Sequence, residues 1–554
     1  MATPWTRLKR YPALLLLIIV YVAACVVVIG NVIRGSGGAP GTGQKKVLRF
    51  AHWQLEPGIR NAVDALIADY EETHPDVEVR QILIPEEGYF RWVNTQLIGR
   101  TAPDMIECGL GGPVAWSLWP KFYARYFLPL DRYVEQPNPY NKGTQFENTP
   151  WRQTYFDEMD GGYEDTLQSY YRVPLSAFTV RLYYNKDMID EVWGETFPAT
   201  YEEFIELCEK LVEHGEQRGR ELVPIAGSGY NFRQFFQTYQ AAMTAPYLDR
   251  LDADYDGSVS RVEAAARLYS GQVQMTEAPI RANFELVREL SDYFPQGFMQ
   301  LDRDEAVFLF LQGYSAMITT GSWDYQSLGV QSEFQIGIAE IPLPSKDNPR
   351  YGRHVAGPRT EAGIRGGFPM AITRFSENAE QALDFLQYAS SLKKNEELNQ
   401  AMYWIPAIRD AEMRKELKPF APRIEGYSTA LNYDGPGVEL AYNQALPLYL
   451  SGKISYEDFA EGLYEAYRRD APHGVREFIR NNEQTLAQQM RFAAVRRAAI
   501  AGAPGAEAAM SGDSELQYKS LIEVYVTQVA SRANEIRVWA ESAAESAPQT
   551  PEPE

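Results

Sequence analysis

Only three cysteines occur in 554 residues, Cys25, Cys108 and Cys208, too few for a disulfide framework and without metal-type spacing. At most one bridge, Cys108 to Cys208, can form. One of these thiols follows an apolar strand pattern and the other lies in a helical one, so two buried free thiols are expected. The five histidines show no zinc spacing, and no Gly-x-Ser-x-Gly elbow is present. Basic residues are in deficit, with 53 Lys and Arg against 74 Asp and Glu and a net charge of -21. That balance excludes a nucleic-acid partner, because binding phosphate requires basic faces that displace counterions. It leaves the charge of a small ligand open, since one cleft can differ from the whole surface.

What the chain does contain is length enough for two or more lobes and a 45% hydrophobic, 13% aromatic composition incompatible with wholesale disorder. Its 35 Tyr and 10 Trp suit either a core or surfaces that stack on sugars. The longest apolar run is N-terminal: residues 11–33 carry no charge, 23 in all, and bilayer crossing needs about 20 helical residues. Residues 22–25 also form a lipoprotein-like box ending at Cys25. The apolar continuation through Ile29 favours an uncleaved anchor over lipidation. A glycine-rich tether, residues 35–46, follows.

Residues 170–187 are a β-branched and aromatic run entered through Pro174 and left through Asn185, the pattern of a strand. A short apolar helix, a break at Phe197-Pro198, and a helix capped by Thr200 with Glu203 three residues on come next. Upstream, a short strand at 47–53, a helix ended by His74-Pro75 and an alternating strand at 77–84 imply a β-α-β unit with a right-handed crossover. The helix over 89–97 leads to a third strand ending at Glu107. Together with Ala102-Pro103-Asp104, the segment 304–323 ending in Gly321-Ser322-Trp323, and the glycine-aromatic stretches at 366–372 and 403–407, this series resembles the extracellular solute-binding proteins of ABC importers, in the sugar-binding branch.

The resemblance covers residues 47–470. It implies an α/β two-lobed, periplasmic-binding-protein-like fold with an inter-lobe cleft, no catalysis, an oligosaccharide ligand and permease subunits as partners. Lobe I takes residues 47–178 and 367–408, and lobe II takes 179–366 and 409–472. Residues 170–187 become the first crossing between lobes, which puts Phe178 and Thr179 near the ligand, with core packing the alternative for Phe178. The rule that ligands gather at the carboxyl ends of strands adds Trp53, Glu56 and Glu107, and leaves Asp104 structural. Tyr230, Phe368 and Trp404 stand at expected cleft edges, and the resemblance makes Trp323 a sugar-stacking residue. Arg350, Arg353, His354, Arg359 and Arg365 make one loop basic: a solvated loop, or a clamp for carboxylated sugars, since guanidinium matches carboxylate.

Residues 252–263 match a twelve-residue EF-hand loop, with Asp252, Asp254 and Asp256 at positions 1, 3 and 5, Gly257 at 6 and Glu263 at 12. Calcium takes roughly 6 to 8 oxygens. Ser258 would add its carbonyl and Ser260 a direct or water-mediated oxygen. The flanking helical patterns favour a structural Ca2+ over an ordinary acidic turn. Residues 136–170 lack periodicity and read as a long surface loop near the cleft. Residues 473–540 read as an added helical hairpin and 541–554 as a disordered acidic tail. A carbohydrate-active enzyme using Glu56 and Glu107, and a sensor module for a membrane partner, are the rival functions. Folded, the chain is expected outside the cytoplasm and anchored to the membrane.

Overall fold

The computed structural model describes residues 45–543 apart from 110–111, 165–166, 168, 254–256, 258, 363–365, 430 and 503–532. Two sheets dominate. In the first, β1 (Lys46–His52) pairs in parallel with β2 (Val77–Leu83) and β3 (Met105–Glu107). A hairpin, β4 (Tyr163–Glu164) and β5 (Ser169–Tyr170), precedes β6 (Val173–Ala177). The second sheet contains β7 (Val180–Asn185), β8 (Val223–Ala226), β9 (Ser315–Gly321) and β10 (Ile336–Ala339), and β11 (Gly366–Ile372) returns to the first. The strand orders are β2-β1-β3-β11-β6 and β10-β7-β9-β8. The helix Pro57–Thr73 bridges β1 and β2, which completes the expected β-α-β unit.

The inner strands β3, β9 and β11 are buried at almost every position, as expected of strands covered on both faces. The period of two instead distributes side chains between two cores. In β11, Phe368, Met370 and Ile372 enter one cluster and Ala371 the other. In β7, Leu182 packs with helices on one side and Tyr183 on the other. Cys108 and Cys208 are free and buried.

The run at 170–187 is two strands. β6 ends in the first sheet and β7 begins in the second, with Phe178 and Thr179 alone between them. A second connection brings β11 back, and a third passes Ile405, whose carbonyl accepts from Ala177 N–H at 2.8 Å. Downstream of it, Leu417 and Phe420 pack with Tyr183 of the second sheet.

Three expectations change. Residues 136–170 are not a surface loop: Phe146, Trp151, Tyr155 and Met159 are buried, and Trp151 Nε1 donates to Ser390 Oγ at 3.0 Å. Isolated large apolar groups on short turns carry no period, yet they plug a core as well as a helix face does. The chain has no break at residue 473, because one helix runs through Tyr456–Gly502, contributing Phe459, Leu463, Tyr467 and Val475 to the core of the second lobe. It also lies against the helix Gly112–Tyr126 of the first lobe. Finally, residues 533–543 are helical, with Val538 and Trp539 in that same core, so the first three residues of the expected tail, 541–543, are helix. No helix among the described residues is long and apolar enough to cross a membrane. The anchor expected at residues 11–33 lies outside them, as does most of the expected C-terminal tail.

Candidate functional site

Trp323 sits where β9 ends. Its ring lies directly over Gly321, where any Cβ would collide with the six-membered ring, and part of it remains accessible. Phe178 meets Trp323 edge to face at 5.3 Å between centroids and Trp404 at 5.0 Å. Trp404 continues to Phe368 at 6.0 Å. The two-residue crossing therefore carries an aromatic row from one lobe into the other. Phe178 rests on Gly367, whose absent Cβ would lie 2.8 Å from the ring.

Tyr230 is half-buried in the first turn of helix Gly229–Thr244, capped by Ser228. The Arg303 guanidinium lies 6.0 Å from the Tyr230 ring centre and 5.9 Å from that of Trp323. Arg303 pairs with Asp324, which also accepts from Thr320 Oγ1. These groups form a polar and aromatic wall on the second lobe.

On the first lobe, Trp53 packs edge to face on Tyr89 at 5.0 Å, and its N–H donates to Glu107 Oε2 at 3.2 Å. Gln54 Nε2 donates to Glu107 Oε1 at 2.7 Å. Burial pushes the Glu107 carboxyl well above the usual carboxylate range, against the pull of those two donors. Glu56 is exposed at the start of helix Pro57–Thr73. Burial also raises Glu86, while Arg303 of the opposite lobe pulls it down.

Two candidates are structural in place. Thr179 is buried and donates its hydroxyl to Phe420 carbonyl at 2.8 Å, which locks the crossing. Phe368 is 1% exposed, packed between Phe50, His52 and Trp404, with a left-handed φ of 50°. Arg365 lies outside the described residues. Of the other basic-loop residues, Arg350 pairs with Glu289 at 3.2 Å, and Arg353 donates to His354 at 3.0 Å. Asp104 is structural, accepting from Arg49 N–H at 2.8 Å and Ser376 Oγ at 2.6 Å. Gln54, Glu86 and Arg303 were missed by sequence reasoning. Gln54 had a usable signal, lying between two candidates just past β1, whereas Glu86 and Arg303 belong to lobes that are far apart in the chain.

The acidic loop brings its two ends together. Gly257, at φ 87°, donates its N–H to Asp252 Oδ2 at 2.9 Å. Buried Glu263 accepts from Ala253 N and Ser260 N, both at 2.8 Å, and Ser260 caps the helix Arg261–Ser270. The Asp252 and Glu263 carboxylates thus both accept backbone N–H groups within the turn. Asp254, Asp256 and Ser258 lie outside the described residues, and among those described no group of three His, Cys, Asp or Glu is placed to hold a metal.

A family model described as bacterial extracellular solute-binding protein matches residues 56–396, well over half the chain. The chain belongs to this family. Membership in the solute-binding family places it among receptors rather than enzymes and sets its folded region outside the cytoplasm. Among curated relatives, the multiple sugar-binding protein of Streptococcus mutans is 21% identical over 338 residues, 59% of this chain and 67% of that one. An uncharacterized ABC transporter extracellular-binding protein of Pyrococcus horikoshii is 20% identical, over 54% of this chain and 62% of its own length. A cyclo/maltodextrin-binding protein complexed with maltotetraose superposes with a TM-score of 0.53 at 14% identity, covering 78% of this chain and 98% of that one. A chitin oligosaccharide binding protein gives 0.51 at 16%, covering 77% and 99%. These likenesses establish the two-lobed solute-binding fold.

Proposed function

We propose that this solute-binding protein captures an oligosaccharide between its lobes and delivers it to the permease subunits of an ABC importer. The observation that carries the reading is the aromatic row Trp323-Phe178-Trp404 along the crossing, with Tyr230 and Arg303 beside Trp323 on the second lobe. Aromatic faces stack on the C–H surfaces of a sugar, and the polar groups around them take its hydroxyls. Contacts completed only when both lobes meet the ligand favour the closed state. The likeness to a multiple sugar-binding protein, a chitin oligosaccharide binding protein and a cyclo/maltodextrin-binding protein supports a sugar as ligand.

The test is calorimetric titration with maltotetraose, raffinose and chitin oligosaccharides. At least one binds, and Trp323→Ala weakens it by about 2 kcal/mol, roughly thirtyfold in Kd. No binding by any of a broad panel of neutral sugars, or full affinity in the Trp323→Ala protein, removes the proposal.

The loop at 252–263 holds a structural Ca2+ in this reading. Asp252, Asp254, Asp256 and Glu263 would supply carboxylate oxygens, Ser258 its carbonyl and Ser260 a direct or water-mediated oxygen. Chelator then lowers Tm in the wild type and leaves an Asp252→Asn, Asp254→Asn double variant unmoved; elemental analysis without calcium rejects the assignment. The charge-free segment at residues 11–33 tethers the protein to the membrane.

A further inference from the structure

Beside β7 lies a cavity of about 380 Å³ that contains none of the cleft groups. It opens where the chain after β10 departs from the sheet. β10 pairs with β7 only as far as Ala339 opposite Leu182, and Glu340, Ile341 and Pro342 then swing away from Arg181 and Val180. Every lining residue comes from the second lobe or the segments returning through it. Tyr230, Trp323 and Asp324 are not among them.

The walls differ in character. One is apolar and contains Phe197, Pro198, Pro342 and Leu343; Phe197 is held by stacking on Tyr184 at 4.5 Å. The other carries Arg181, Arg359 and Arg423 with Glu340 and Glu361. Gln234 and Thr238 add neutral polar groups.

The two carboxylates are not equivalent. Glu361 is locked: it pairs with buried Arg181, and its Oε2 also accepts Arg423 N–H at 2.7 Å. Glu340 pairs with the Arg423 guanidinium but is 54% exposed. An exposed ion pair is worth little, so Glu340 can turn to water and yield its place to another carboxylate. Burial and the nearby Arg181 charge hold Arg423 below its ordinary value. The frame is rigid. Tyr427 N–H donates to Pro358 carbonyl at 2.9 Å and Thr360 N–H to Tyr427 carbonyl at 3.0 Å, which fixes Arg359 between them.

We propose that this cavity is a second ligand site, separate from the cleft, for a small hydroxylated carboxylate of uronic-acid size, with its carboxylate on Arg423 and Arg359 and its C–H face on Phe197 and the prolines. The volume lies at the lower end of the roughly 300–1,000 Å³ of ligand pockets, which suits a single sugar ring rather than a chain. Arginine presents a planar fork that matches carboxylate, and the hydroxyls meet Gln234 and Thr238.

The experiment titrates galacturonate, galactose and acetate into the full chain by calorimetry, using wild type, Trp323→Ala, Arg359→Ala and Glu340→Gln. The expected result is galacturonate binding equal in wild type and Trp323→Ala, at least tenfold weaker in Arg359→Ala and severalfold tighter in Glu340→Gln, which removes the competing anion without cutting into the core. Galactose and acetate should each bind at least tenfold more weakly than galacturonate. No galacturonate binding overturns the proposal, as does binding lost in Trp323→Ala and kept in Arg359→Ala, which would return the acid to the cleft. Acetate binding as well as galacturonate would mean an adventitious ion only. Loss of neutral-sugar binding in Trp323→Ala reports on the cleft alone, so failure there is distinct from failure here.

Discussion

Trp323 and Phe178 are each seated on a glycine, and that fact turns two unremarkable positions into determinants of the cleft. Gly321→Ala would drive a methyl into the Trp323 ring, because the contact is with its six-membered portion and neighbouring Arg303 and Phe178 leave the ring little room to move. We expect Gly321→Ala to weaken sugar binding nearly as much as Trp323→Ala, while far-ultraviolet circular dichroism stays unchanged. His52 supplies a pH signature. It is fully buried, its Nε2 lies 2.8 Å from Gln81 Oε1, and burial holds its pKa down to about 4 from 6.5, with Arg60 lowering and Asp64 raising it. The unfolded chain therefore binds the proton first, so His52 contributes stability that is fully present above pH 6.5 and is lost as pH falls toward 4. The loss is of the order of 3 kcal/mol. Buried Glu107 opposes it, because a raised carboxyl favours the folded state at low pH. Denaturant unfolding of wild type and His52→Gln at pH 7 and pH 4.5 isolates the histidine: the variant should lose less stability on acidification. Trp323 could be singled out from its Gly-Ser-Trp exit. The structural roles of Thr179 and Phe368 could not, since each depends on partners 241 and about 300 residues away or more.

At the scale of elements, local signals translated well. Thr200 accepts from Glu203 N–H at 3.3 Å, and Glu203 Oε2 accepts from Thr200 N–H at 3.2 Å, the reciprocal cap that their spacing announces. The run at 170–187 was legible as strand, but not as two strands in two sheets, because both halves are equally apolar and only pairing partners separate them. The crossing is fastened by Arg181, which reaches Pro419 carbonyl at 2.9 Å, Ala421 carbonyl at 2.9 Å and both oxygens of Glu361. Glu361→Gln would leave a buried guanidinium without its counter-charge, at a cost of about 3–5 kcal/mol. Chemical denaturation should show that drop, with a much smaller one for the double change Arg181→Met, Glu361→Gln. Equal drops would mean that Arg181 is held by the backbone carbonyls alone.

For the whole molecule, the C-terminal helix is part of the second lobe rather than an appendage. Phe459, Leu463, Tyr467 and Val475 are each at most 1% exposed, and burying such side chains is worth roughly 1.5–3 kcal/mol apiece. Their sum matches the 5–15 kcal/mol that holds a typical domain together. A chain ending at residue 455 should therefore fail to unfold cooperatively. One ending at 502 loses Val538 and Trp539, the latter packed on Tyr269 at 5.1 Å, and should show only a lower Tm by calorimetry. Because the same helix touches both lobes, the shorter deletion also leaves intact the contact with Gly112–Tyr126.

The sequence by itself determined the family-defining order of strands and caps, the free thiols and the exclusion of nucleic acid. These follow from local backbone preference, periodicity and net charge, which need no knowledge of what lies opposite. Tertiary structure alone decided that residues 136–170 are core, that the helix Tyr456–Gly502 is continuous with the second lobe, and that Trp323, Phe178 and Trp404 form one row. Packing and charge act through space, and the residues concerned are distant in the chain, so no window along the sequence contains both partners.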